Sequence, residues 1–414
     1  MMNLTDKIYD VGELPEIGTV PRKMHAWTLR NERMGEPLNA FREEIVDVPL
    51  PRRGEVLVAN ISAGVNYNGV WAALGKPKNV IANNGNYDYP KEDFHICGSE
   101  SSGIVYAVGE GVTGLKPGDA VNIGASQYDR NCGIVRAGGD PVTSPSYRVW
   151  GYEGNWGAFA QFSRVYDYQC LRIPKGLNWS EASCFTAAGV AVYRMLTHWK
   201  PNTIKKDDVI LIYGGTGGVG SAAIQLAAYY GAIPVAVVSS EEKGKFCLSL
   251  GAKGYINRND FTHWGRLDGY LEPDMQRKWT LEAMKFKKAI WKIVGEKRSP
   301  AIVIEHPGMD TMPTSLFVCD TEGMVVTCGA TSSYLADFDV RYLWLNQKRI
   351  QGSHSGTPSE YYEYMKIIEK GGLKPHIGKK FSWSELPEAH QLLYEGKGAY
   401  GRMTIDICPD YPAL

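Results

Sequence analysis

The sequence predicts an α/β protein of two domains, one β-rich and partly barrelled, the other a doubly wound nucleotide-binding domain. Three observations predict it. The run Val209-Ile-Leu-Ile-Tyr-Gly-Gly-Thr-Gly-Gly-Val-Gly220 breaks from an apolar strand into glycine, and Ser221-Ala-Ala-Ile-Gln-Leu226 resumes with helical spacing. Strand and helix signals alternate after it, over 209–352. Before it the chain is dense in short strands and turn residues.

In order, residues 1–22 are polar with Pro15 and Pro21 and read as a loose lead-in. Pro49, Pro51 and Gly54 set a turn before the strand Glu55-Val-Leu-Val-Ala-Asn60. His95-Ile-Cys-Gly-Ser-Glu-Ser-Ser-Gly-Ile-Val-Tyr106 gives another strand, and the turn-rich stretch to Asp119 feeds Ala120-Val-Asn-Ile123. Leu171-Arg-Ile-Pro-Lys-Gly176 ends this part, because proline and glycine break the strand. A capping pattern at Trp179-Ser-Glu-Ala then begins helical spacing. Later strands are Ile233-Pro-Val-Ala-Val-Val238, Ala301-Ile-Val-Ile304 and Gly323-Met-Val-Val-Thr-Cys328. Residues 257–300, with Trp264, Trp279 and Trp291, read as added helices, and residues 361–407 return a helix and a last strand. The expected domains are 1–185 with 356–414, β-rich and catalytic, and 186–355, binding the nucleotide.

Length and composition exclude several classes. A chain of 414 residues has ample core without disulfide staples. Lysine plus arginine equals aspartate plus glutamate at 45 each, so no global field favours nucleic acid or an acidic membrane. The eight cysteines are scattered singly with no C-x-x-C, which gives no zinc lobe. No signal peptide or membrane-length apolar run is seen, so the expectation is a cytoplasmic, reduced protein.

Gly215, Gly217 and Gly220 fit G-x-G-x-x-G. On this reading Gly215 permits the turn, Gly217 lets backbone approach a pyrophosphate, and Gly220 lets helix and strand pack closely. Thr216, Gly218 and Val219 complete the loop, whose free N–H groups face the phosphates. The second strand ends in Ser239, Ser240 and, after two glutamates, Lys243. Small hydroxyls and a lysine suit the 2′-phosphate of NADPH better than the bare ribose of NADH. The same Ser-Ser-Glu-Glu also fits a plain helix N-cap with dipole-favoured acids.

The order of domains resembles the medium-chain dehydrogenase/reductase superfamily over nearly the whole chain. Its zinc-dependent members carry Gly-His-Glu where this chain has Gly98-Ser99-Glu100, so the likeness is to the zinc-free reductases. Five motifs narrow it: Val65-Asn-Tyr-Asn-Gly-Val-Trp71, Val149-Trp-Gly-Tyr-Glu-Gly-Asn-Trp-Gly157, Ile304-Glu-His-Pro-Gly308, Arg341-Tyr-Leu-Trp344 and Lys348-Arg-Ile-Gln-Gly-Ser-His354. Together they resemble the crotonyl-CoA carboxylase/reductase group. The resemblance implies a GroES-like catalytic domain beside a Rossmann domain, NADPH, an enoyl-CoA thioester and CO2 as reactants, and a homodimer or homotetramer. It implies hydride transfer to the β-carbon, then capture of CO2 by the enolate to give an alkylmalonyl-CoA.

By motif position the resemblance puts the CO2 pocket at Asn68, Tyr152, Glu153 and His354, with Tyr152 where the family has phenylalanine. The residue types suit that task. CO2 is uncharged, so its oxygens need preplaced donors such as an amide and an imidazole, and a carboxylate can orient either the ring or a water. Water must be kept away, because protonating the enolate gives plain reduction. Asn66 and Tyr67 are expected to shape the nicotinamide pocket. Arg341, Lys348 and Arg349 are candidates for coenzyme A phosphates by charge alone. Two other readings compete: a non-carboxylating enoyl-CoA reductase, for example on acrylyl-CoA, which the tyrosine keeps open, and a nucleotide-binding module without turnover.

Overall fold

An eleven-residue strand, Glu55–Val65, is wholly buried and carries most of the first unit's sheet. Along one edge it pairs antiparallel with Ser101–Val108, with register shifts at Leu57/Val58 and Asn60/Ser62 that bend it. Along the other, its first half takes Phe162–Tyr166 and its second half takes Arg402–Asp406, so one strand serves two neighbours. The seven-stranded sheet runs from Cys170–Arg172 through Ala120–Ile123 to Ile377–Ser382 and does not close into a full barrel among the described residues. The computed structural model describes residues 2–82, 85 and 90–414. It forms two units, Met1–Val190 with Ser355–Leu414, and Ala191–His354. The last strand thus returns to the first unit and lies against Glu55–Val65.

The second unit is a six-stranded parallel sheet. Its order is Gly254–Asn257, Ile233–Val238, Val209–Tyr213, Ile302–Glu305, Met324–Thr327, Arg349–Gly352. Numbered within the unit this is 3-2-1-4-5-6, the doubly wound order with its reversal beside Val209–Tyr213. All five residues of that strand are buried, which explains its unbroken apolar run. Each such aliphatic side chain is stabilised by about 1.5–3 kcal/mol on burial, more than the ~1 kcal/mol span of strand propensities. The extension read as helical contains the 22-residue helix Pro273–Val294, started by proline and stopped by Gly295 at φ 92°. Its buried residues Ala283, Phe286 and Ile290 form one stripe at three- and four-residue spacing. No helix among the described residues is long and apolar enough to cross a membrane.

Candidate active site

The second unit holds a cavity of about 610 Å³ at the carboxyl ends of its strands, where the doubly wound fold places ligands. Tyr213, Gly214 and Thr216 form one wall and Val238, Ser239 and Lys243 another. The left-handed residue of the glycine turn is Gly214, at φ +59°, one position before the motif's first glycine. Gly215 is glycine for packing: a methyl there would lie 2.7 Å from the Cys247 sulfur. At Gly217 nothing stands nearer than Gly214's carbonyl oxygen, 3.6 Å from where a methyl would be, so the space above it is open to a ligand. At Gly220 a methyl would lie 2.2 Å from that same oxygen, which seats the helix Gly218–Tyr229 on the turn. Gly218 and Val219 begin that helix with no side chain capping it, leaving N–H groups for an anion.

At the second strand's end the two serines divide. Ser240 caps the helix Glu241–Ser249, accepting from the Lys243 N–H at 3.3 Å, and is not on the cavity wall. Ser239 is on the wall, and its hydroxyl accepts from the Lys243 ammonium at 2.9 Å. Arg258, exposed and lining the same cavity, adds a second cation that motif spacing does not reveal. A pocket with two cations and a hydroxyl fits a dinucleotide phosphorylated on its ribose. Phe261 and Trp264 of the extension also reach this wall, so the extension contributes to the cavity.

His306 closes the floor, its Nε2 3.0 Å from the Tyr213 carbonyl. Burial pulls its pKa down, so the neutral ring donates this bond. Its neighbour Glu305 is fully buried and caged by three donors: the Gly308 N–H at 3.0 Å and the Thr311 and Ser315 hydroxyls at 2.6 Å each. Burial pushes that carboxyl above its ordinary range. The cage folds the loop that brings His306, Pro307, Asp310 and Thr311 to the cavity. Hydroxyls at the sixth and tenth positions after an acid ending an apolar strand were the available signal.

In the first unit, strand Glu55–Val65 runs into the helix Tyr67–Leu74. Asn66 stands at its N-cap position but does not cap it. Its amide donates to Glu100 at 2.7 Å, and its oxygen accepts from Arg402 at 3.0 Å. Glu100 is itself fully buried in an ion pair with Arg402. Asn68, one residue into the helix, donates through Nδ2 to the buried Ser99 hydroxyl. Ser99 follows Gly98, whose carbonyl would lie 1.9 Å from a methyl at Gly151. The loop bearing Tyr152 and Glu153 therefore rests directly on the segment that anchors Asn68. Among the described residues no three His, Cys, Asp or Glu side chains gather as a metal site.

That loop is a tight turn in which the Val149 carbonyl accepts from the N–H groups of Tyr152, Glu153 and Gly154 at 3.1, 2.8 and 3.0 Å. Tyr152 is buried, and its hydroxyl donates to the Lys76 carbonyl at 3.4 Å. Burial first, and the Glu153 charge second, push its phenol well up, so it stays protonated. One Glu153 oxygen accepts from the Val149 N–H at 3.1 Å, and the other pairs with the Lys78 ammonium. His354 belongs to the second unit, exposed, two residues after the strand Arg349–Gly352.

Residues 218–370 match the zinc-binding dehydrogenase family and residues 52–175 the alcohol dehydrogenase GroES-like domain. The chain is 43% identical over 398 residues to the crotonyl-CoA carboxylase/reductase of Cereibacter sphaeroides, covering 96% of this chain and 91% of that one. The chain belongs to the crotonyl-CoA carboxylase/reductase family. It is 34% identical to the crotonyl-CoA reductase of Streptomyces collinus, over 87% of this chain and 81% of that one. Among solved structures it superposes on the crotonyl-CoA carboxylase/reductase AntE in complex with NADP with TM-score 0.92 and 47% identity, over 97% of this chain and 99% of that one. The 2-octenoyl-CoA carboxylase reductase CinF, in complex with NADP and 2-octenoyl-CoA, matches with TM-score 0.86 and 31% identity, over 95% and 90%.

In this chain, the three basic candidates for coenzyme A are each engaged. Arg341 is paired with Asp339, whose carboxylate also caps its helix. Lys348 donates to the Leu316 carbonyl at 2.6 Å, at a helix end. Arg349 donates to the Lys200 carbonyl at 3.0 Å. Charge alone nominated these three, and a chain position says nothing of which carbonyls or carboxylates lie beside it. Sequence spacing also missed Ser99, Lys78, Glu305 and Arg258.

Proposed function

We propose that this chain catalyses NADPH-dependent reductive carboxylation of an enoyl-CoA thioester. The observation that carries this is the anchored Asn68: one of its two amide hydrogens is spent on Ser99, which fixes the plane of the other as a donor for a CO2 oxygen. Family membership, at 43% identity over 96% of the chain, supports the reaction class. The cation pair Lys243 and Arg258 beside Ser239 supports the phosphorylated cofactor.

NADPH, when bound, supplies the hydride. On this reading Lys243, Arg258 and Ser239 hold its 2′-phosphate, and the first turn of Gly218–Tyr229 faces its diphosphate. Addition to the substrate's β-carbon leaves an enolate. Its α-carbon attacks the carbon of CO2: one C–C bond forms, one C=O π bond of CO2 breaks with its electron pair passing to oxygen, the thioester carbonyl is restored, and the new group stays on the α-carbon as a carboxylate. Asn68 supplies a donor to a CO2 oxygen as it gains charge. Glu153 orients a bridging water. Tyr152 fills the wall against water; its hydroxyl, bonded to the Lys76 carbonyl, is turned to a backbone partner.

The test is incubation with crotonyl-CoA, NADPH and bicarbonate plus carbonic anhydrase, with products resolved by mass spectrometry. The expected product is the ethylmalonyl thioester. Finding only the saturated thioester would mean a plain enoyl-CoA reductase, the outcome that the tyrosine at position 152 keeps open. The same reading takes the enzyme to be cytoplasmic, which its eight free cysteines support, and a homodimer or homotetramer, which light scattering would measure.

A further inference from the structure

We infer that Asn259 is a positioning residue for the choice of dinucleotide. It holds the arm that carries Arg258 against the strand end that carries Ser239, so that two cations face one phosphate. This rests on the cofactor reading above, with the 2′-phosphate at Lys243, Arg258 and Ser239, and adds a residue that no motif nominates. Asn259 lines the same cavity of the second unit. The two cations reach that cavity from different elements. Lys243 stands in the helix Glu241–Ser249, after the second strand, and Arg258 opens the short turn Arg258–Asp260, after the third.

Those two strands pair in parallel, and their register ends at Val238 opposite Asn257. The Asn259 side chain carries the tie further, its Nδ2 donating to the Ser239 carbonyl at 2.9 Å. Ser239 is thereby held at two atoms, its carbonyl by Asn259 and its hydroxyl by the Lys243 ammonium, also at 2.9 Å. A carbonyl accepts only from the nitrogen of an amide, so this bond also sets which way the Asn259 side chain is turned. The turn that presents it is fixed in its own right. The Asn257 side chain accepts from the Asn259 N–H at 3.1 Å, and the Trp264 indole N–H donates to the Arg258 carbonyl at 2.8 Å. The backbone around Arg258 is thus tied, while its guanidinium is left to the cavity: no carboxylate among the described residues pairs with it.

Charge gives the strut its purpose. Before a phosphate arrives, Lys243 and Arg258 repel each other, and an arm that extends past its strand is free to swing away. A neutral amide bonded to a backbone carbonyl opposes that swing without adding a charge of its own. A ribose phosphate gains from both cations when they already stand on either side of it, since ordering them at the moment of binding costs affinity. NADH brings no 2′-phosphate, so the place of Arg258 matters little to it. The strut therefore acts on the choice between the two dinucleotides.

The experiment compares kcat/KM for NADPH and for NADH in the full-length enzyme with saturating crotonyl-CoA, following the loss of reduced-nicotinamide absorbance. That signal counts carboxylated and saturated product alike, so it is independent of the fate of the enolate. Asn259→Ala is expected to lower the preference for NADPH over NADH about fivefold to tenfold, the scale of one hydrogen bond, with the NADH value kept within about twofold. Asn259→Asp, of the same size but without the N–H and with a negative charge, lowers it further. Arg258→Ala lowers it at least as much as Asn259→Ala, and the double variant matches Arg258→Ala alone, because Asn259 acts through the arginine. An Asn259→Ala enzyme with the wild-type preference overturns the inference, as does recovery by Asn259→Asp. Equal losses for both dinucleotides, the mark of a merely structural role, overturn it too, and so do losses that add in the double variant. If Arg258→Ala and Lys243→Ala both keep the wild-type preference, the phosphate reading fails first and this inference goes with it.

Discussion

Lys243 reaches two serines with two different atoms, and the difference assigns their work. Its backbone N–H serves the helix cap at Ser240, while its ammonium leans on Ser239 at the cavity. Lys243→Ala should therefore keep the cap, raise the KM for NADPH about tenfold or more, and leave the KM for NADH within about twofold, a steady-state comparison. Equal effects on both dinucleotides would refute a 2′-phosphate role. Glu305 makes a second residue-scale case, because three buried donors converge on it. Glu305→Leu should cost on the order of 2–4 kcal/mol by stranding them, seen as a lower thermal midpoint and weaker NADPH binding by titration; Glu305→Gln should recover most of the loss. The sequence names an acid in Ile-Glu-His-Pro, yet only the folded loop shows that it bonds forward to Gly308, Thr311 and Ser315.

The helix Gly218–Tyr229 depends on one absent methyl group. At Gly220 that methyl would meet Gly214's carbonyl oxygen at 2.2 Å and Gly215's Cα at 2.7 Å, both backbone atoms that cannot step aside. Gly220→Ala should lower stability by about 1–3 kcal/mol, the usual cost of overpacking, and weaken NADPH binding as the helix start moves off the turn. Calorimetry with and without NADPH reads both effects; an unchanged midpoint and dissociation constant would sink this account of the close approach. Elements of this kind were legible because period and punctuation are local. The strand, turn and helix around 209–229 follow from an apolar run, glycines and helical spacing. Which glycine turns left-handed was not, since Gly214 and Gly215 are equally free until the strand fixes the direction of exit. Nor could the sequence show that Glu55–Val65 is shared between two partners along one edge.

Across the molecule, buried histidines link stability to pH, and besides His306 three others are shifted far enough to set the window. Burial lowers His95, His263 and His390 each from the usual 6.5 to about 4. Between those values the unfolded chain binds protons that the folded chain excludes, so stability is greatest above pH 6.5 and is lost as pH falls toward 4. Each contributes a slope of at most about 1.4 kcal/mol per pH unit in that window. Below it Glu44 takes over: its hydrogen bond with Arg30 holds it at about 2, against an ordinary 4.5, and that stabilisation is lost as pH falls through this lower range. The thermal midpoint should be level from pH 7 to 8 and fall progressively below 6.5, and a midpoint still level at pH 5 would contradict the burial of these rings.

The sequence by itself determined the two kinds of domain, the dinucleotide turn and the likeness to the carboxylase/reductase family, because strand and helix periods, glycine spacing and motif order are properties of neighbours along the chain. Tertiary structure alone decided which partners those residues meet. Asn68 and Ser99 are thirty-one positions apart and Lys78 and Glu153 seventy-five, yet each pair is joined by a direct bond. Likewise Arg258 reaches the wall of Ser239, while Arg341, Lys348 and Arg349 turn to partners of their own. A hydrogen bond or ion pair is set by distance in space, and only the packing of strands and loops fixes that distance.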